Sequence, residues 1–118
     1  MQAPHIDDYS FGRMEIDGER YTSDLIILPD GTIQENWWRK SGHNLVPADI
    51  SEVLERNPDM LIVGTGASGI MHISDEARGE CERRGVRIRA ERTGDATASY
   101  NEAAEGGRSV AACFHLTC

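Results

Sequence analysis

Three groups of residues have the types and spacing to do chemistry. The first is Gly64-Thr65-Gly66-Ala67-Ser68-Gly69, a G-x-G-x-x-G that directly follows the apolar run Met60-Leu61-Ile62-Val63. In dinucleotide-binding folds such a loop lets backbone N–H groups approach a pyrophosphate seated at the N-terminus of the next helix. The second is "NWWRKSGH", which brings Trp37, Trp38, Arg39 and His43 together. Arg39 offers a planar fork of donors for a carboxylate or a stack on an aromatic face, and His43 offers an imidazole that could serve as an acid or base. The third is "ACFHLTC", with Cys113, His115 and Cys118. Residues 113 and 115 share one face of a strand, so a thiol and an imidazole fall on the same side.

Each group also has a plainer explanation. A turn that leaves a buried strand needs glycine for its backbone alone. The dinucleotide motif further demands a helix opening straight from the loop and an acidic residue about 20 positions on. Here "IMHI" separates Gly69 from the first helix cap, Ser74, and Glu91 lies beyond that distance. No nicotinamide or flavin cofactor is expected. An intermediate role survives, because the loop N–H groups can form a nest for a small anion or carboxylate. For the second group, one Trp is core, its neighbour covers an edge, and Arg39 forms a structural pair; Trp37 and Trp38 cannot both face inward from one strand. Should a site exist, Arg39→Ala is expected to weaken binding while leaving the fold nearly intact. For the third group, zinc needs four ligands and His72 is the only suggestive addition, so no metal site is expected. Cys113 reads as a small buried apolar residue. No catalytic residue can be assigned, and enzyme status stays open.

The elements that position these groups can be read from periodicity. Residues 1–10 are polar and expected to fray. Met14 and Ile16 alternate with Arg13 and Glu15 as in a half-buried strand, and Asp17-Gly18 is a favoured hairpin turn. The hairpin resumes from Tyr21 to Leu28, Pro29-Asp30-Gly31 turns the chain, and "TIQENWW" forms a third strand. In "PADISEVLERNP", Ile50, Val53 and Leu54 lie on one helical face, Asp49 and Glu52 have capping-box spacing, and Pro58 stops the helix. "MLIVG" is apolar on both faces, as a central strand should be. It is expected between "SVAACFH" and "VRIRAE". Ser74 caps a helix through Arg84 that ends at Gly85. Thr93 caps a last helix carrying Ala96, Tyr100, Ala103 and Ala104. Strand-rich structure followed by alternating strands and helices gives an α/β fold, with the early hairpin as an added layer.

Bulk properties exclude several classes. The chain has 118 residues, a size suited to one domain spanning 1–118. Its formal net charge is −8, and Lys40 is its only lysine. That balance argues against nucleic acid or an anionic membrane as partner. No apolar run reaches membrane-spanning length. Three cysteines without a C-x-x-C imply a reducing compartment, and a cytoplasmic location is expected.

The motifs together carry a family likeness. "W-R-x-x-x-H" at Trp38, Arg39 and His43, "V-P-A-D-I" with Pro47 and Asp49, a strand ending at Gly64 and Gly66, Asn101, and the terminal "F-H-x-T-C" at Phe114, His115 and Cys118 occur in order. In this the chain resembles the adipogenesis-associated Mth-type domain proteins, whose wider relatives include the mitochondrial complex I assembly factor three. The resemblance spans about Ile6 to Cys118. It implies a three-layer α/β fold with a mixed central sheet of about five strands and a hairpin layer beside it. It implies no established activity or cofactor. Gly69 departs from the polar or charged residue of other members, which makes the third glycine incidental. A bacterial or archaeal member is implied, to which a mitochondrial role does not transfer. The resulting expectation is a non-enzymatic domain acting through contacts with an unknown protein partner, in assembly or regulation. Its alternative is a small-anion or carboxylate pocket built from Gly64, Gly66 and Gly69 with Trp38, Arg39, His43 or His115. Oligomeric state is not legible.

Overall fold

The computed structural model describes residues 3–118. Three strands come first: β1 (Ile6–Ser10), β2 (Arg13–Ile16) and β3 (Glu19–Tyr21), joined as an antiparallel sheet in that order. Residues 6–10, expected to fray, are thus a paired strand. Ile6 is buried and faces Ile16, while the polar residues that suggested fraying point outward. Residues 1–2 lie outside the described part. Asp17 and Gly18 take φ values of 49° and 82°, the positive values that a tight hairpin turn needs.

The hairpin's second strand stops at Tyr21 instead of running on to Leu28. The chain crosses to a second sheet and forms β4 (Leu25–Ile27), buried throughout, and β5 (Ile33–Glu35). The switch has a legible cause: "LII" has no polar face to offer solvent, so it belongs inside a sheet covered on both sides. β5 also ends early. Asn36 takes φ 57° and turns the chain out, so Trp37 and Trp38 follow the strand. Trp37 is buried and Trp38 is 75% exposed.

β6 (Asn44–Leu45) leads into a 3-10 turn (Pro47–Ile50) and α1 (Ser51–Glu55). Here Asp49 is not paired with Glu52 in a capping box. Its Oδ2 accepts from Val46 N at 2.9 Å and its Oδ1 from Lys40 N at 3.1 Å, so it caps the 3-10 turn and anchors the preceding loop. Then come β7 (Met60–Thr65), β8 (His72–Ile73), α2 (Asp75–Arg83), β9 (Arg87–Glu91), α3 (Thr93–Glu105) and β10 (Val110–His115). Ser74 Oγ accepts from Ala77 N at 3.1 Å, as an N-cap should.

The main sheet has the order β5-β4-β10-β7-β9. β7 lies between β10 and β9, both parallel to it; β4 runs antiparallel to β10, and β5 antiparallel to β4. β6 and β8 form a small parallel pair. Two cores lie on opposite faces. Leu61, Val63, Ala111 and Cys113 pack with Val53 and Leu54 of α1 and Ala77 and Cys81 of α2. Ile62, Ala112 and Phe114 pack with Ala96 and Tyr100 of α3 and with Ile6, Met14 and Ile16 of the N-terminal sheet. Period-2 alternation along β7 and β10 therefore serves two cores, which is why neither strand has a polar face. The result is a three-layer α/β arrangement.

Candidate functional site

In open α/β sheets, the region beyond the carboxyl ends of the parallel strands is where ligands gather. His115 is the last residue of β10 and pairs in register with Thr65, the last of β7. Antiparallel pairing of Phe114 with Leu25 brings Asp24 beside His115 and Leu116. Asp24 Oδ1 accepts from Leu116 N at 2.7 Å, and Oδ2 accepts from His115 Nδ1 at 2.8 Å. Arg39 Nη2 reaches the same Oδ2 at 2.9 Å. The chain returns here because Trp37 N donates to Asp24 O at 2.9 Å after the Asn36 turn.

Arg39 is held on several sides. Its Nε and Nη2 donate to Gly42 O at 3.2 and 3.1 Å, and its Cζ lies 4.6 Å from the centroid of the Trp37 ring. The Trp37 indole is itself fixed by Nε1 donating to Asp49 O at 2.9 Å. The Arg39 side chain is only 6% exposed and that of His115 8%. Arg39 is thus part of a largely buried ion pair, a setting in which Arg39→Ala is expected to destabilise the fold. Truncation strands the Asp24 carboxylate in a site with little solvent.

Burial alone would raise the Asp24 carboxyl. Hydrogen bonds from Leu116 N–H, His115 and Arg39 outweigh it and hold the group below the usual carboxylate range. The carboxylate is therefore ionised. A ring nitrogen 2.8 Å from an ionised oxygen must carry its hydrogen, so His115 Nδ1 donates in either charge state of the ring. The 3.1 Å approach of Arg39 Nη2 to His115 Nδ1 is then a contact between two donors sharing one oxygen.

This arrangement leaves two atoms over. Arg39 Nη1 and His115 Nε2 are buried, and neither has a hydrogen-bond partner among the described residues. Unpaired buried polar groups cost roughly 1–3 kcal/mol each and are rare in native folds. The exposed His43 ring stands edge-on to His115 with centroids 5.9 Å apart. Together they make a carboxylate-oriented histidine beside a fixed guanidinium, with a second imidazole at the rim. Cys113 Sγ is no nucleophile for them: burial pushes its thiol well up, and it faces the α1/α2 core.

The glycine loop lies against the C-terminal segment. Gly66 N donates to Thr93 Oγ1 at 2.9 Å, Ala67 N to Thr117 O at 2.7 Å, Gly69 N to Gly66 O at 3.2 Å and Ile70 N to Cys118 O at 3.4 Å. Four N–H groups that would line an anion nest thus have internal acceptors. Gly64 allows close packing, since a Cβ there would lie 2.7 Å from the Phe114 ring. After Gly69 the chain forms β8 before α2 begins, so the loop does not open into a helix. Thr93 is not a cap either. Arg92 holds that position, and buried Thr93 Oγ1 donates to His115 O at 2.6 Å while accepting from Gly66 N.

Of the residues singled out in the sequence, Arg39, His43 and His115 come together. Trp38 adjoins Arg39 but points to solvent, and Gly64, Gly66 and Gly69 shape the neighbouring strand end. Asp24 was missed. Its only signal was an acid placed directly before the wholly apolar "LII", where a buried strand end would have to satisfy it. Among the described residues, no cluster of three metal-ligating side chains occurs.

A mixed five-stranded sheet with helices on both faces and an N-terminal antiparallel sheet beside α3 is the Mth938-like α/β fold. The profile described as "Protein of unknown function (DUF498/DUF598)" matches residues 6–115, and the chain belongs to that family. The chain is similar to the structure named MT938, with 28% identity over 98% of this chain and 100% of that one and a TM-score of 0.83. Conserved hypothetical protein PH1505 from Pyrococcus horikoshii OT3 has 27% identity over 96% and 98% of the two chains and a TM-score of 0.84. A Bordetella pertussis protein described as a Mth938-like domain shares the fold at 21% identity over 96% and 85%, with a TM-score of 0.69. The family and fold implied by the motifs are those found.

Proposed function

We propose that this chain is a single non-enzymatic domain that acts through protein contacts at the carboxyl end of its parallel strands, in assembly or regulation. The observation that carries this reading is the placement of the exposed large hydrophobic side chains. Among the described residues these are Phe11, Trp38 and Ile70, at 67%, 75% and 52% exposure. Each lies in a separate loop whose backbone or neighbouring residue meets the segment 115–118. Gly12, next to Phe11, donates from N to Leu116 O at 2.8 Å; Ile70 N donates to Cys118 O; Trp38 precedes Arg39, which meets His115. Large exposed apolar side chains next to anchored backbone at one end of a sheet are suited to contact with a partner. A cytoplasmic setting accords with the acidic charge and with Cys81, Cys113 and Cys118 all being free thiols. No helix among the described residues is long and apolar enough to cross a membrane.

The test is capture from the native host with wild-type and Trp38→Ala baits, followed by mass spectrometry. Trp38 is exposed, so the variant should keep its unfolding midpoint while a partner held by wild type is lost or depleted about tenfold or more, as for an interface anchor. Identical captures from both baits would overturn the reading.

The unpartnered Arg39 Nη1 and His115 Nε2 favour a second reading, a small-anion or carboxylate pocket. Arg39, His43 and His115 supply its contacts and Trp38 adjoins it, while Gly64, Gly66 and Gly69 pack against Phe114, Cys118 and Arg92 at the neighbouring strand end. Acetate titrated into the protein should shift the His115 and His43 ring signals saturably, and Arg39→Lys should weaken that response because the planar fork is lost. Ring signals that ignore acetate, or a lysine variant that responds like wild type, would count against the pocket.

A further inference from the structure

At the opposite end of the parallel strands, a cavity of about 240 Å³ opens between α3 and the edge strand β9. Arg87 and Arg89 of β9, Arg108 from the turn after α3, and Ser99, Glu102 and Ala103 of α3 form its walls, with Met60 and Ile62 beneath. Three successive parts of the chain, β9, α3 and the turn after it, thus line one space over β7, and two of them bring arginines to it. We propose that this groove is a binding site for a small phosphomonoester with an apolar body.

Charge is the first support. The chain carries a formal −8, yet this cavity gathers three guanidiniums against one lining carboxylate, Glu102. Arg89 Nε contacts Glu91 Oε1 at 3.3 Å, whereas Arg87 and Arg108 meet no carboxylate among the described residues. Several other surface arginines do pair: Arg13, Arg20, Arg56, Arg83 and Arg84 each reach an Asp or Glu. Two unpaired guanidiniums facing one space repel each other, and an anion between them relieves this. Arginine also matches tetrahedral oxyanions through paired N–H donors. Edge protection accounts for charge along β9, but it does not account for Arg108 arriving from another element at the same place.

The floor decides the rest of the ligand. Over the fully buried Ile62, the edge of Met60, 8% exposed, and the small, partly buried Ala103 present the apolar surface of the floor. A fully hydrated inorganic ion makes no use of such a floor, whereas an apolar group attached to the phosphate covers it. A dianion also balances more of the arginine charge than a carboxylate does.

The experiment titrates the wild-type chain with phenyl phosphate, inorganic phosphate and benzoate at low salt, followed by amide shifts of β9 and α3. Phenyl phosphate is expected to saturate and to bind about tenfold more tightly than either other probe. Arg87→Gln with Arg108→Gln should weaken it at least about tenfold, and Glu102→Gln should tighten it by removing the opposing charge. All three residues are exposed, so these variants should unfold like wild type. No saturable binding, or binding indifferent to the arginine pair, overturns the site. Inorganic phosphate binding as tightly overturns the apolar requirement, and benzoate binding as tightly overturns the phosphate head.

Discussion

Asp24→Ala should lower the unfolding free energy by about 3–5 kcal/mol, the cost of breaking a buried ion pair by removing one partner. The carboxylate accepts from Leu116 N–H, His115 Nδ1 and Arg39 Nη2 together. Its loss leaves the Arg39 charge in a pocket where the side chain is 6% exposed, already with one unpaired nitrogen. Urea unfolding measures the change as a shift in midpoint at constant slope. The double variant Asp24→Ala with Arg39→Met should recover much of the loss, because a paired deletion removes the stranded charge as well. A single variant within about 1 kcal/mol of wild type would show that the triad does not hold the strand ends.

The same carboxylate sets an acid limit. Its pKa is lowered on folding, so its contribution is fully present above the pKa of an unfolded aspartate. It fades as pH falls through the lower folded value. Wild type should therefore lose stability in that acidic window more steeply than Asp24→Ala, and the gap between the two curves should narrow across it.

What the sequence disclosed and what it hid follow from how local each signal is. β7, β10 and α2 were legible because two-sided apolarity and a Ser cap are properties of short windows. The switch of β4 from the hairpin to the main sheet was not, since "LII" looks alike in either setting until its partners are known. The site divides the same way. Arg39, His43 and His115 were visible by residue type. Asp24, which orders them, lies 91 residues from His115 and becomes a partner only through the pairing of β4 with β10. Thr93 was assigned the local role of a cap, yet it is occupied in joining the ends of β7 and β10. The glycine loop looked like a ligand motif because the groups it serves, Thr117 and Cys118, come some 50 residues later in the chain.

Gly66→Ala tests that last point, with an expected loss of about 2–4 kcal/mol from strain, overlap and broken hydrogen bonds together. Gly66 takes φ 109°, a conformation that side chains rarely adopt. A Cβ there would lie 2.2 Å from Cys118 C and 2.3 Å from Cys118 O. Those are backbone atoms and cannot rotate aside, so the C-terminal segment must lift. Lifting it sacrifices the bonds from Ala67 N to Thr117 O and from Ile70 N to Cys118 O. Gly69→Ala is the control. Its φ of 73° is also positive, but the nearest obstacle is the flexible Arg92 side chain at 3.2 Å, so about 1 kcal/mol is expected. If the loop served an anion instead, both alanines would weaken binding and neither would single out the tail. Removing Thr117 and Cys118 separates the cases further: in the shortened chain, Gly66→Ala should cost only its backbone strain and approach the Gly69 value. An undiminished penalty after truncation, or a Gly66→Ala chain as stable as wild type, would mean that the glycine is not there to seat the C-terminus.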